Sequence, residues 1–447
     1  MAETITPRVL DTQQPEQPQF QQTLKVVIVG AGNRSLTYAS YGLAHPEELQ
    51  VVAVVDPDEL RCHRLADLHG VAPNRCYASL DALLEDGRIA DAAINGTMDA
   101  LHVPTSLPLL EAGYDILLEK PIGISKEEIL VLLDAARRHD RKVMICHVLR
   151  YAPYYREIRK RIAEGVIDDI VNIQTGEHVS YHHMSAAFVR GKWGSKEQGG
   201  SSMLMAKCCH DMDLITWLKS GIPPIRVTSS GGLSFFRSDR APAGSGTRCL
   251  ADCPIEAECD YSARKHYIEQ ARWGTYVWRS IEHLGSEPTT EQKLESLRTD
   301  NPYGRCVWRS DNDAVDHQCV VIEFADGSTA THTLIGNTSK PCRTLHIIGT
   351  KGEISGVMED GYFTIRHPDV RAGHEYTEEQ VHLNVSMDMH GGGDLRLVED
   401  FIRYCRGEAA SLSTTSIGDS IYGHLLGFGA DKAMEEGVWV TLERLES

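Results

Sequence analysis

The sequence predicts an α/β domain built on a doubly wound parallel sheet, followed by a C-terminal α+β domain on a largely antiparallel open sheet. Three observations carry that expectation. A buried apolar run, Val26 to Val29, feeds straight into a glycine turn, Gly30-Ala31-Gly32, that opens a helix. From Lys25 to Cys146, strand-like runs alternate with helical segments, the pattern of βαβ units. After Arg150 the alternation stops, and strands dominate until two helical segments near the end of the chain.

In the first half the strand-like runs are Lys25–Val29, Val51–Val55, Ala92–Ile94, Asp115–Leu118 and Lys142–Cys146. Helices such as Leu80–Leu84, Pro104–Ala112 and Lys126–Arg138 lie between them and cover both faces of the sheet. In the second half Ile170–Val179, Arg226–Ser230, Gln318–Phe324 and Thr329–Ile335 read as strands, and Ala325-Asp326-Gly327 turns between the last two. Leu395–Cys405 and Ile417–Glu436 read as helices. The expected domains are 24–148 and 149–447, with a cysteine-containing insertion around 235–315. A flat, open sheet of this kind suits a homo-oligomer, a dimer or tetramer. Residues 1–23, rich in Gln, Pro and Thr, read as a disordered tail, or else as an arm packed on a neighbouring subunit.

Composition narrows the function classes. The chain has 447 residues, 42% of them hydrophobic and 24% charged, as in ordinary globular domains. A formal charge of −18 disfavours nucleic acid and anionic membranes as partners. Neither a transmembrane-length apolar run nor a secretion signal is present, and the 12 cysteines have irregular spacing, so a cytoplasmic protein is expected.

The glycine turn has a specific chemistry. Gly30 permits the tight turn, and Gly32 lets the backbone approach a pyrophosphate with no Cβ in the way. The helix N-terminus then offers free N–H groups and the positive end of its dipole to that anion. Ser35 stands where the third glycine of the fingerprint is usual, a small residue that keeps helix and strand close. The strand Leu49–Val55 ends at Asp56, placed to hydrogen-bond the adenosine ribose hydroxyls and to repel a 2′-phosphate. NAD is therefore expected over NADP.

After the fourth strand comes Leu118-Glu119-Lys120-Pro121. Together with the glycine fingerprint, it resembles the Gfo/Idh/MocA family of nicotinamide-dependent sugar oxidoreductases, across nearly the whole chain from Lys25. The resemblance implies a Rossmann domain, a second α/β domain, and a sugar or glycoside pocket between them. It implies that Lys120 touches the substrate hydroxyl or the nicotinamide ribose, where a nearby positive nicotinamide should make it titrate low enough to exchange protons. Asn33, Arg34, Thr97, His102 and Glu119 complete the candidate cofactor contacts. Within Gly199-Gly200-Ser201-Ser202-Met203-Leu204-Met205-Ala206-Lys207-Cys208-Cys209-His210-Asp211-Met212-Asp213, His210 matches the family's catalytic histidine. Many family members have an aspartate four residues earlier; here Ala206 stands there, and Lys207 is a candidate to fill part of the gap. A third landmark, His390-Gly391-Gly392-Gly393-Asp394, offers His390 and Asp394 to sugar hydroxyls.

Tyr181-His182-His183 and Phe188-Val189-Arg190-Gly191-Lys192-Trp193 combine aromatic and cationic groups suited to a sugar face bearing an anion. His183, Arg190 and Trp193, with Arg150 and Tyr151 at the domain crossing, are candidate substrate contacts. Cys249, Cys253, Cys259 and Cys306 are candidates for a structural zinc that staples the insertion. The expected reaction is hydride transfer from a secondary hydroxyl, at ring carbon 3, of a hexose, hexoside or cyclitol to NAD. The alternative is a redox-neutral NAD-dependent glycosidase working by oxidation, elimination, hydration and re-reduction, including on an anionic sugar such as a sulfoquinovoside.

Overall fold

The computed structural model describes residues 23–285, 287–383 and 390–443. The expected N-terminal tail or arm thus lies, except for Thr23, outside the described residues. Six parallel strands form the first sheet: β1 (Leu24–Val29), β2 (Leu49–Val55), β3 (Cys76–Tyr77), β4 (Ala92–Asn95), β5 (Asp115–Leu118) and β6 (Val143–Ile145). Their order is β3-β2-β1-β4-β5-β6, so the winding reverses between β1 and β4. Ligand crevices of doubly wound sheets open at such a reversal. The strands are continuously apolar because helices cover both faces; Val26, Val27 and Ile28 are fully buried. The connecting helices are α1 (Asn33–Ala44), α2 (Glu59–His69), α3 (Leu80–Glu85), α4 (His102–Glu111) and α5 (Lys126–Arg138). Asp58, Ser79 and Ser125 cap the N-termini of α2, α3 and α5 with their side chains, whereas α1 begins at Gly32 with no side-chain cap.

After α6 (Pro153–Ala163) the chain builds a nine-stranded sheet. Its strands are β7 (Ile170–Ser180), β8 (Pro224–Gly232), β9 (His317–Phe324), β10 (Thr329–Thr338), β11 (Cys342–Gly349), β12 (Glu353–Val357), β13 (Tyr362–Pro368), β14 (Tyr376–His382) and β15 (Val440–Thr441). The order is β14-β13-β12-β11-β7-β10-β9-β8-β15, and every pairing is antiparallel except β7 with β10. Ile173 on β7 sits opposite Ala330 on one side and Ile347 on the other, which fixes which face is buried. Helix α7 (Met203–Leu218) is buried almost all round against this sheet.

The insertion between β8 and β9 consists mostly of turns and short helical segments, the longest being α8 (Thr290–Arg298). It has a small core of its own, including Cys249, Tyr267, Val277, Leu297 and Tyr303. The chain ends with α9 (Gly393–Cys405) and α10 (Ile417–Glu436). Leu397, Val398 and Phe401 of α9 pack on one face of the parallel sheet with Val26 and Ile28. Ile417, Ile421 and Leu425 of α10 pack on the other with Val27 and Val29. The first domain expected at 24–148 is therefore covered in part by the end of the chain. No helix among the described residues is long and apolar enough to cross a membrane.

Candidate active site

The glycine turn folds as its residues dictate. Gly30 takes a φ of +84°, and a Cβ on it would stand 2.9 Å from the Thr97 backbone N. A Cβ on Gly32 would stand 3.8 Å from the Gly96 carbonyl and 3.8 Å from the Arg279 guanidinium, so nothing crowds that side of the turn. Ser35 Oγ donates to the Gly30 carbonyl at 2.5 Å, and a Cβ on Gly96 would collide with it. Ser35 therefore fills the third glycine position and ties turn to helix. At the end of β2, Asp56 accepts from the Ala31 N–H at 2.7 Å and from the Asp58 N–H at 2.8 Å. Cradle, uncapped helix N-terminus and acid together fit a dinucleotide.

Three distant segments meet beside this turn. Lys120, two residues beyond β5, donates from Nζ to the Ala206 carbonyl at 2.8 Å on α7. His210 lies four residues on, along the same helix face. Its ring is buried, and neither nitrogen has a hydrogen-bond partner among the described residues. The His390 ring stands 5.7 Å from it on one side and the His147 ring 5.7 Å on another. Burial, reinforced by Lys120, His147 and His390, holds the His210 pKa well below that of a free imidazole, so the ring is neutral.

Lys120 differs from expectation. Burial opposes its charge, but Cys209, Glu119 and Asp99 outweigh it, and its pKa is raised rather than lowered. Burial pushes the Cys209 thiol up to about 12, so at neutral pH Glu119 and Asp99 supply that support. Burial also works against Glu119, yet Arg34 and Lys120 hold it down at about 2. Glu119 accepts from Arg34 Nε at 2.7 Å and from the Tyr38 hydroxyl at 2.7 Å. Arg34 also pairs with Asp394, which holds His390 Nδ1 at 3.0 Å. Arg34 is thus turned toward these carboxylates, in place of the cofactor contact that the sequence suggests.

Several other candidates are structural. Arg150, 2% exposed, forks onto both oxygens of Asp213 at 2.6 and 2.7 Å, and Tyr151 donates to Asp400 at 2.8 Å. Neither faces a cleft; a short helical turn at Val148–Tyr151 buries both. Arg190 is spent inside the insertion contact, on the carbonyls of Arg305 and Tyr261, the Tyr267 hydroxyl and Cys249 Sγ. His102 places its ring nitrogens on the Pro121 and Thr97 carbonyls, at 2.6 and 3.2 Å, clamping the loop that borders Gly30. Thr97 itself donates to Asn95 at 2.8 Å, and Asn33 donates to the Thr275 carbonyl at 3.3 Å. Lys207 does not fill the gap at Ala206. It pairs with Glu177 at 3.1 Å, and Glu177 in turn pairs with Arg343, which also reaches Asp211.

His183 stacks on Trp273 of the insertion at 4.3 Å, and Trp193 donates to Asp99 at 3.3 Å. Above the Trp193 ring, at 4.1 Å, sits Lys192 Nζ, with no carboxylate within ion-pair distance among the described residues. Burial lowers its pKa to about 8, within the field of Asp99, Arg279 and Lys120. Lys192, rather than its neighbour Arg190, is thus the cation here without a carboxylate partner among the described residues. Spacing alone offered no way to choose, because a one-residue step decides which side chain turns inward.

Cys249, Cys253, Cys259 and Cys306 line one cavity of about 10 Å³, with Arg190 at its edge. Among the described residues, however, no three of their sulfurs lie within 4.8 Å of one another. The spacing brought the thiols together without the compact sulfur set that zinc requires.

Residues 24–147 match the model of an oxidoreductase family with an NAD-binding Rossmann fold, GFO_IDH_MocA. Residues 24–147 thus match the Rossmann domain of the Gfo/Idh/MocA family. It is similar to the protein YteT of Bacillus subtilis, 24% identical over 335 residues, 72% of this chain and 74% of that one. It is also similar to trans-1,2-dihydrobenzene-1,2-diol dehydrogenase of Xenopus laevis, 28% identical over 184 residues, 41% of this chain and 53% of that protein. The chain thus covers about three quarters of the first relative and about half of the second. The fold extends further than these sequences. WlbA dehydrogenase from Chromobacterium violaceum, solved with NADH and UDP-GlcNAcA, superposes with a TM-score of 0.62 over 95% of this chain and 98% of that one, at 16% identity.

Proposed function

We propose that the protein is an NAD-dependent oxidoreductase acting on a secondary hydroxyl, at ring carbon 3, of a hexose, hexoside or cyclitol. The observation that carries this reading is His210, a buried neutral imidazole beside Lys120 whose two nitrogens have no partner among the described residues. A secondary alcohol loses hydride readily only as its O–H proton departs, and His210 offers the lone pair for that proton. The Lys120 ammonium stabilises the charge developing on the same oxygen. Bound NAD, held by Gly30, Gly32, Asp56 and the first turn of α1, supplies the hydride acceptor. Relatives of this chain include inositol 2-dehydrogenase of Corynebacterium glutamicum, 24% identical over 202 residues, which favours a ring alcohol as substrate.

The redox-neutral glycosidase remains the second reading. Residues 275–282 of the insertion reach across the cofactor loop, which favours a dinucleotide retained between turnovers. One assay separates the two: hexosides with a chromogenic aglycone and added NAD, with reduced nicotinamide and free aglycone followed together. Stoichiometric NADH without aglycone is expected for the dehydrogenase. Aglycone release without NADH accumulation would replace it with the glycosidase.

Two residues give further tests. Asp56→Ala removes the carboxylate at the ribose end, and NAD affinity is expected to fall about 10- to 100-fold while NADP gains relative to it. An unchanged cofactor preference would show that Asp56 does not read the ribose. Lys192 is the cation we assign to an anionic substituent on the sugar. Its pKa near 8 means the ammonium is present below that pH and lost above it. KM for an anionic hexoside is therefore expected to rise about tenfold per pH unit above 8, and Lys192→Met to abolish that dependence. A flat profile in the wild type removes Lys192 from substrate binding. For assembly we propose a homo-oligomer through the open face of the nine-stranded sheet, where Val171, Val321 and Ile335 are exposed.

A further inference from the structure

The insertion returns to the first domain along residues 273–284, on both sides of the glycine turn. At one side the Asn33 amide donates to the Thr275 carbonyl at 3.3 Å. At the other, Arg61 of α2 donates from Nε to Glu282 at 2.7 Å. Between these anchors stands Arg279, whose guanidinium lies 3.8 Å from where a Cβ on Gly32 would be.

Arg279 is more than half withdrawn from solvent, yet it makes no hydrogen bond or ion pair among the described residues. The anions around it are engaged elsewhere. Glu282 holds Arg61, and both oxygens of Asp56 accept backbone N–H groups. Burial of this guanidinium, with Arg61 beside it, outweighs the attraction of Glu282, Asp56 and Asp58, so its desolvation cost is only partly offset. Its planar fork matches phosphate oxygens, and the surface it overhangs is the turn where a dinucleotide lays its phosphates.

We propose that Arg279 is a phosphate-binding residue of the cofactor site, supplied by the insertion to the pyrophosphate at the glycine turn. This rests on the reading that a dinucleotide binds at the glycine turn. The insertion then completes the cofactor site. The phosphate it meets is the pyrophosphate common to NAD and NADP, because the guanidinium overhangs Gly32.

The test uses the full chain and three ligands, NADH, NADPH and ADP-ribose, titrated by fluorescence or calorimetry. Arg279→Ala is expected to weaken all three about tenfold or more, since each carries the pyrophosphate, and Arg279→Lys to recover part of the loss. Glu282→Gln frees the Arg61 anchor but keeps Arg279, and its loss should be clearly smaller. Circular dichroism of each variant confirms that the fold persists. Equal affinities in wild type and Arg279→Ala overturn the proposal. So does a loss confined to NADPH, which would make Arg279 a 2′-phosphate reader. A Glu282→Gln loss as large as that of Arg279→Ala overturns it too, because the arginine would then only hold the segment in place. If the wild type binds none of the three, the dinucleotide reading itself fails, and the role of Arg279 falls with it.

Discussion

His210→Ala is expected to lower kcat by about 10²- to 10⁴-fold, the range seen when a positioned general base is removed, with the NADH dissociation constant unchanged within about twofold. The imidazole is already neutral, because burial and the charge of Lys120 keep a proton off it. It is therefore ready to accept the hydroxyl proton across the physiological range, and activity should hold on acidification until well below the usual imidazole range. Lys120→Met should show a loss of similar size through a different route. The proton acceptor survives, but the developing oxyanion loses its nearest cation. The two defects share one transition state, so the double variant should lose less than the product of the single losses. Steady-state kinetics and an NADH fluorescence titration measure both quantities. Full turnover in either single variant removes that residue from the mechanism.

Arg150→Met is expected to destabilise the fold by about 3–5 kcal/mol, the cost of leaving one member of a buried ion pair alone. Both groups are out of water, with Arg150 at 2% exposure and Asp213 at 0%. Arg150 also donates to the carbonyls of Thr414 and Asp419, so its loss loosens the start of α10 as well. Denaturant midpoints measure the effect. KM for substrate, taken where the variant is still folded, should stay at the wild-type value, because Arg150 is enclosed rather than facing the cleft. A stable variant with a raised KM would return Arg150 to the substrate site.

Much of the fold was legible because the physics is local. Runs such as Val26–Val29 can only be strands buried on both faces, and Gly30 is required where φ is positive. The sheet beyond β11 was harder. The strand β14, Tyr-Thr-Glu-Glu-Gln-Val-His, is an exposed edge with no alternation to mark it. The packing of α9 and α10 on the first sheet was also hidden, since nothing in an amphipathic stripe says which distant sheet it will cover.

The site divides along the same line. Lys120, His210 and His390 follow from short motifs, and the structure brings all three together. The arginines do not follow, because a guanidinium reads alike in sequence whether it meets a carboxylate, a carbonyl or a ligand. Arg150 and Arg190 found internal partners, Arg34 found Glu119 and Asp394, and Arg279, in a segment without any motif, found none among the described residues.

The most direct test of the whole account is a calorimetric titration of the wild-type chain with NAD. Saturable binding is predicted, abolished or strongly weakened when a bulky side chain is placed at Gly32. Absence of measurable heat with either NAD or NADP, in protein shown to be folded and free of carried-over nucleotide, would contradict it.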